Sequence, residues 1–139
     1  MSTIITFTDK ELLRGKIVTP GWYRVHIDSV GEAPAKDSGK GPSTNYPVEA
    51  TIMFNGDDGT TEFAGVPLTW NFNSKAISFS VGFLESLGVE VKAGTRFNLK
   101  AAENEVLDVY VRNDTWQNRL VNRVNHEYRK IRPEVTAAA

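Results

Sequence analysis

The 139-residue sequence contains no cysteine, which excludes disulfide bonds and agrees with a reducing compartment. No apolar run approaches the ~20 residues that a helix needs to cross a bilayer. The first residues also lack a basic stretch followed by a long apolar one, so we expect no secretory signal. These absences predict a cytoplasmic protein with no membrane partner.

Motifs for catalysis are missing as well. The two histidines, His26 and His126, fall inside predicted strands, and the sequence has no histidine or cysteine cluster at metal-ligand spacing. No serine stands in the context of a catalytic nucleophile, and no glycine-rich loop leads into a helix with a Lys-Ser or Lys-Thr ending. The acidic turn at residues 57–59 lacks the other ligands of a calcium loop, which favours a hairpin turn. We therefore predict a protein that is not an enzyme and has no cofactor or metal.

The overall composition is that of an ordinary globular domain, with 40% hydrophobic and 24% charged residues. At this length a core can form without metal or disulfide staples. No repeat and no linker divides the sequence. We expect one domain over residues 1–139, with an N-terminal extension at 1–19 and a loose tail at 133–139.

Strict alternation of side chains predicts a half-buried strand over residues 22–30. Residues 31–45 are rich in glycine, proline, serine and charged residues, which is typical of a flexible loop. The alternation places on one face of the strand Trp22, Arg24, His26 and Asp28, and on the other Tyr23, Val25 and Ile27.

The pattern of the next segments predicts a hairpin of residues 46–55 and 60–73, with a tight connection between them. Pro67 interrupts the second strand and indicates a bulge or an edge position. Later extended segments are residues 95–102 and 106–112, which form either one broken strand or a hairpin of two. A last strand is predicted over residues 117–128.

Residues 75–88 change to a helical period, with apolar side chains three and four positions apart. Asn73 or Ser74 can cap the start of this helix, and Gly88 suits the left-handed position that ends one. The internal Gly82 disfavours a helix by ~1 kcal/mol relative to alanine, which leaves a strand through Ile77, Phe79 and Val81 as the alternative. The residues assigned to the core are Phe79, Phe83 and Phe97.

The predicted order is three strands, one helix and two strands. This is an all-β fold with one helix, arranged as a five-stranded OB-fold-like Greek-key barrel with the helix between strands three and four. Such a fold often grips oligonucleotides with the loop between strands one and two, where residues 36–40 lie.

The charge distribution points to the last third of the chain. Residues 112–132 hold six basic and two acidic residues and so carry +4, while the net charge of −1 leaves −5 for the remainder. This asymmetry favours a basic surface stripe and an ordinary solvated strand face about equally.

Aromatic side chains accompany these basic residues, and single-stranded nucleic acid binds to flat aromatic faces beside a cationic groove. Trp116 is expected at a loop tip, where stacking is favoured. For Trp22 a stacking role and a structural role are equally expected, and for Trp70 a place in the core is favoured over stacking. The lysines in the first loop are equally explained as ordinary surface residues. The candidate nucleic-acid-binding residues are Trp22, Arg24, Lys36, Lys40, Trp70, Arg112, Trp116, Arg119, Arg123, Arg129 and Lys130.

A family resemblance adds to this interpretation. Residues 20–25 (PGWYRV), a Lys/Gly-rich loop, Trp70 before the helix, residues 83–88 (FLESLG) and residues 116–124 (WQNRLVNRV) resemble small phage-encoded proteins found beside recombination and replication genes. The resemblance spans about residues 18–128. It implies an OB-fold protein that binds single-stranded DNA without sequence preference, in the host cytoplasm, with replication or recombination proteins as partners.

The end of the chain departs from many proteins of this kind, which carry an acidic tail that recruits partners. Residues 133–139 contain a single acidic residue, Glu134, so recruitment through the tail is not expected. The alternative function is a structural or assembly β-barrel of a phage particle or larger complex, which the modest net charge favours. A homo-oligomer is compatible with both functions.

Overall fold

Alternating apolar and polar residues produce an antiparallel sheet in the computed structural model of the chain. The structure describes residues 4–35 and 41–138. The chain is mostly β, with a helical segment between its third and fourth long strands, which confirms the predicted all-β class with one helix at this position. The strands of the described residues are β1 (Gly21–Val30), β2 (Ala33–Pro34), β3 (Thr44–Asn55), β4 (Pro67–Asn73), β5 (Val106–Trp116) and β6 (Arg119–Arg129).

The sheet has Greek-key connectivity. β1 pairs with β3 on one side and with β5 on the other, while β4 pairs with the far edge of β3. In chain order the first four long strands are β1, β3, β4 and β5. The fourth of them, β5, returns to lie beside the first, β1, and this is the arrangement of a Greek key. β6 continues the sheet beyond β5, and the short β2 pairs with the start of β3.

The sheet is not closed by hydrogen bonds into a barrel. No backbone ladder joins β4 to β6 within the described ranges. Side chains fill the gap instead: the ring centroids of Trp70 and Phe72 on β4 each lie 6.2 Å from that of Tyr128 on β6. The core therefore continues across an open seam between these two strands.

The predicted helix is present but begins as a tighter one. A 3₁₀ helix, Ser74–Phe79, runs directly into the α-helix Ser80–Ser86. The Asn73 side chain caps the start by accepting the Lys75 N–H at 2.9 Å. Gly88, at φ +89°, donates to the Glu85 carbonyl, and Val89 donates to the Leu84 carbonyl, which is a Schellman ending. The alternative strand is therefore wrong.

Phe79 does not lie in the core, contrary to the prediction. Its side chain is 56% exposed and stacks on the His126 ring at 4.9 Å. Ala76 leaves helical geometry inside the 3₁₀ helix, which interrupts the helical spacing on which the assignment of Phe79 depended. Phe83 is fully buried and Phe97 is partly buried against the core, as expected.

Two predicted strand segments are also wrong. β4 begins only at Pro67, because residues 60–66 form turns, with Gly65 at φ +90°. The predicted strand at 95–102 ends instead in a 3₁₀ helix, Leu99–Ala102, because the Asn98 side chain caps it by accepting the Lys100 N–H. Leu99 and Ala102 still enter the core.

The N-terminal extension contains a short helix, Asp9–Arg14. Thr8 and Glu11 form a capping box: Glu11 Oε2 accepts the Thr8 N–H at 2.9 Å and Thr8 Oγ1 accepts the Glu11 N–H at 3.3 Å. None of the helices in the described ranges is long and apolar enough to cross a lipid bilayer.

The C-terminal segment is held against the sheet, which corrects the prediction of a loose tail for residues 133–138. Arg24 donates to the carbonyls of Arg132 and Val135 at 3.0 and 2.9 Å. The Ala138 N–H donates to the Gly59 carbonyl at 2.7 Å. This segment therefore contacts both β1 and the turn that follows β3.

Candidate nucleic-acid interface

Most of the candidate residues lie on one side of the three-stranded unit β1–β5–β6. Strand register decides this, because directly opposite residues and alternate residues along a strand share a face. Trp116 is opposite Arg119, Arg112 is opposite Arg123, and Trp22 is opposite Tyr110. We call this side the outer face, and its members are Trp22, Arg24, Asp108, Tyr110, Arg112, Asp114, Trp116, Arg119, Val121, Arg123 and Arg129.

The β5–β6 hairpin extends past the end of β1 and ends in a tight turn. Gln117 and Asn118 form this turn with φ values of 48° and 61°, as a two-residue type I′ hairpin turn requires. Trp116 is the last residue of β5 rather than part of the turn, and its side chain is 58% exposed. The indole therefore stands at the tip, beside Arg119 on the neighbouring strand.

Arg119 is the arginine of the outer face that has no acidic partner among the described residues, so its charge is available to a phosphate. Within the described part of the chain its side chain forms no ion pair or hydrogen bond, and it is exposed. An aromatic face next to an unpaired guanidinium supplies both interactions that single-stranded nucleic acid needs, stacking and phosphate contact.

Arg112 and Arg123 of the hairpin have acidic partners. Arg112 donates to both Glu127 oxygens at 2.6 and 2.9 Å, and this hydrogen bonding lowers the pKa of Glu127. Arg123 Nε lies 2.8 Å from Asp114 Oδ2, close enough for an ion pair, although its N–H has no aligned acceptor. Both pairs are exposed, so each holds its arginine only weakly and a phosphate can compete for it.

Rings and guanidinium groups are in contact along the outer face from β5 to β1. The Arg112 guanidinium lies 4.9 Å from the Tyr110 ring, and the Tyr110 and Trp22 rings meet edge to face at 5.4 Å. Arg129 covers Trp22, with its guanidinium 4.4 Å from the ring centroid. One face of Trp22 is therefore occupied, which makes it a poorer platform for a base than Trp116.

Arg24 is not placed to contact phosphate, contrary to the prediction. Its side chain is only 6% exposed and its Nε lies 3.1 Å from Asp108 Oδ1. The remaining guanidinium nitrogens donate to carbonyls of the C-terminal segment. Arg129 is largely engaged in the same cluster, because it donates to Asp108 at 3.0 Å and to Asp57 at 2.7 Å.

Trp70 also lies in the core rather than on the surface. It is 7% exposed and packs edge to face on Phe83 at 6.3 Å. It alternates with Leu68 and Phe72 on the buried side of β4. The structure therefore removes Trp70 from any open stacking surface.

The remaining candidates are lysines. Lys130 follows β6 and is exposed. Lys36 and Lys40 lie outside the described residues. β3, which follows them in the sequence, pairs with β1 on the side away from β5 and the hairpin.

Sequence reasoning missed Tyr110 and the acidic partners of the arginines. Tyr110 could have been found, because it alternates with Arg112 and Trp116 along one strand. The pairing of Arg24 with Asp108 could not, because it joins residues 84 positions apart through the register of β1 on β5.

No cluster of histidine, cysteine, aspartate or glutamate in the described ranges could hold a metal ion. Neither a search with protein-family models nor a search of curated proteins finds a match for this sequence.

Proposed function

We propose that this protein binds single-stranded DNA without strong sequence preference, through the outer face of the β5–β6 hairpin. The observation that carries the proposal is the exposed Trp116 indole directly opposite the unpaired Arg119. A base stacks on the indole while its phosphate pairs with the guanidinium, and stacking does not depend on base identity. Arg112 and Arg123 extend the contact by exchanging their surface carboxylates for phosphates.

The position of the hairpin supports the same proposal. Its turn connects the fourth and fifth long strands, β5 and β6. The loop at this position is one of the two with which OB-folds hold oligonucleotides. The other is the loop between the first and second long strands, which contains Lys36 and Lys40. The resemblance to phage proteins favours a role in replication or recombination.

Titration of the protein with oligo-dT, followed by tryptophan fluorescence at low salt, tests the proposal. We expect quenching on binding, weaker binding to duplex DNA whose bases are already stacked, and a steep loss of affinity with salt. Fluorescence that oligo-dT leaves unchanged at low salt would contradict it.

Trp116→Ala removes the stacking platform and has a matched control on the same hairpin. We expect Trp116→Ala to weaken oligo-dT binding about tenfold, since stacking contributes about 1–3 kcal/mol per base. Leu120 is similarly exposed, at 60%, but belongs to the opposite face of the hairpin. Leu120→Ala should therefore leave affinity within about twofold, and equal losses in the two variants would argue against stacking on Trp116.

The exposed N-terminal residues favour a second function, that of a structural or assembly protein. Ile4, Ile5 and Phe7 are 85%, 72% and 65% exposed, an unusual series of apolar side chains next to a short helix. Light scattering with and without oligo-dT separates the two functions. A defined oligomer that ignores nucleic acid would favour assembly over DNA binding.

A further inference from the structure

A groove of about 600 Å³ follows the open seam between β4 and β6. We call it the seam groove. Its walls include Trp70 and Asn71 of β4, Arg123, Asn125 and His126 of β6, and Trp116 from the hairpin tip. Its volume lies in the range of small-molecule sites, and its walls combine aromatic rings with amides.

Trp70 lines this groove and has an unsatisfied donor in its indole ring. Its indole Nε1–H is fully buried and has no acceptor among the residues that the structure describes. A buried N–H without a partner has lost its hydrogen bond to water, so such groups in native proteins are rare and call for an explanation. An acceptor atom satisfies this donor when the walls of the groove part enough to expose Nε1, which is buried in the free protein.

The other polar groups of the groove suit the edge of a nucleobase. Asn71 donates one N–H to Asn45 Oδ1 at 3.0 Å, which leaves its other amide groups unused. The exposed Asn125 amide makes no hydrogen bond within the described part of the chain. Each amide offers both a donor and an acceptor, and base edges present the same two kinds of group.

We infer that the seam groove receives one unpaired nucleobase of the bound strand, and that an acceptor atom of this base accepts a hydrogen bond from the Nε1–H of Trp70. The inference rests on the proposed function and adds a site that reads a base edge to a surface that otherwise binds by stacking. Trp116 belongs to both sites, so a strand stacked on the hairpin tip passes directly along the groove.

The three tryptophans make this hydrogen bond observable. A ¹H–¹⁵N spectrum shows one indole N–H peak for each of them, and Trp→Phe variants assign the peaks. We expect oligo-dT to move the Trp70 peak downfield, because its N–H gains a hydrogen bond, and to change the position of the Trp116 peak as well. An oligomer of abasic nucleotides should leave the Trp70 peak in place. Binding that moves Trp116 but not Trp70 would overturn the inference and leave the proposed function standing. Absence of any binding would overturn both.

Asn125→Ala tests the reading of the base edge independently of folding of the core. We expect this exposed substitution to reduce the differences in affinity among oligo-dT, oligo-dC and oligo-dA, while the salt dependence stays unchanged. Asn113→Ala is the matched control, because Asn113 is exposed on the other face of the same hairpin. Preferences that are identical in the two variants would contradict a base edge in the groove.

Discussion

Arg24 and Asp108 form a buried ion pair, with Arg24 Nε 3.1 Å from Asp108 Oδ1. The other oxygen of Asp108 accepts from Arg129 Nε at 3.0 Å, so one fully buried carboxylate holds two guanidinium groups. Arg24 also donates to the carbonyl of Val135. The cluster thus joins β1, β5, β6 and the C-terminal segment.

Asp108→Asn is expected to destabilise the protein by about 3–5 kcal/mol, because it leaves the buried Arg24 guanidinium without its counter-charge. Arg129 loses one of its two acidic partners and keeps Asp57. Urea unfolding followed by circular dichroism measures this loss. Asp114→Asn is the control, since Asp114 forms an exposed pair with Arg123 and should cost less than about 1 kcal/mol. Similar losses in the two variants would contradict a structural role for the buried cluster.

Gly59→Ala is expected to detach the C-terminal segment. Gly59 has φ +77°, and a Cβ there would collide with the backbone carbonyl of Thr136. Gly94→Ala is the control, because Gly94 has φ +87° with open space around it and carries only the conformational cost of about 1–2 kcal/mol. Hydrogen exchange of residues 130–138 should rise in Gly59→Ala alone, and equal protection in both variants would contradict the contact.

Arg119→Gln is expected to lower the salt dependence of oligo-dT binding. A lost phosphate contact on a single strand reduces the slope of log K against log salt by about 0.7. Arg96→Gln removes the same charge from an exposed position outside the hairpin and should leave the slope unchanged. Matching slopes for the two variants would place the phosphate contacts elsewhere.

His126 should make stability depend on pH. Burial lowers the pKa of its imidazole, so the folded state binds a proton less readily than the unfolded chain. Stability from this group is therefore complete above the unfolded pKa of about 6.5 and is lost as the pH falls below it.

His126→Asn removes the titrating ring, and asparagine tolerates the φ of 58° at this position. Thermal unfolding from neutral to mildly acidic pH should show a smaller loss of stability in this variant than in the wild type. His26→Asn serves as the control for the other histidine. A loss on acidification that His126→Asn leaves unchanged would show that other groups cause it.

The sequence predicts β1, β3 and the helix well because their signals are local. Alternation over residues 22–30, the Asn73 cap and the left-handed Gly88 each act within a few residues. The segment at 95–102 misleads for the same reason: Phe97 and Leu99 alternate with polar residues as in a strand, but the Asn98 side chain caps a 3₁₀ turn.

The candidate interface is only partly readable from the sequence. Alternation places Arg112 and Trp116 on one face, but the sequence does not reveal which cations are already neutralised. Arg24 and Asp108 meet through strand register, and Arg112 meets Glu127 beside the irregular pairing of β5 with β6. Burial and pairing of these side chains depend on distant elements, so they require the structure.

The two-residue turn at Gln117 and Asn118 has a consequence for the thermodynamics and kinetics of binding. A hairpin with a two-residue turn has no flexible loop at its tip. Trp116 is held by the last pair of the β5–β6 ladder. Stacking a base on this indole therefore orders few additional backbone torsions, and little conformational entropy is lost. Association should accordingly proceed at a rate set by encounter and charge, without a preceding rearrangement of the hairpin.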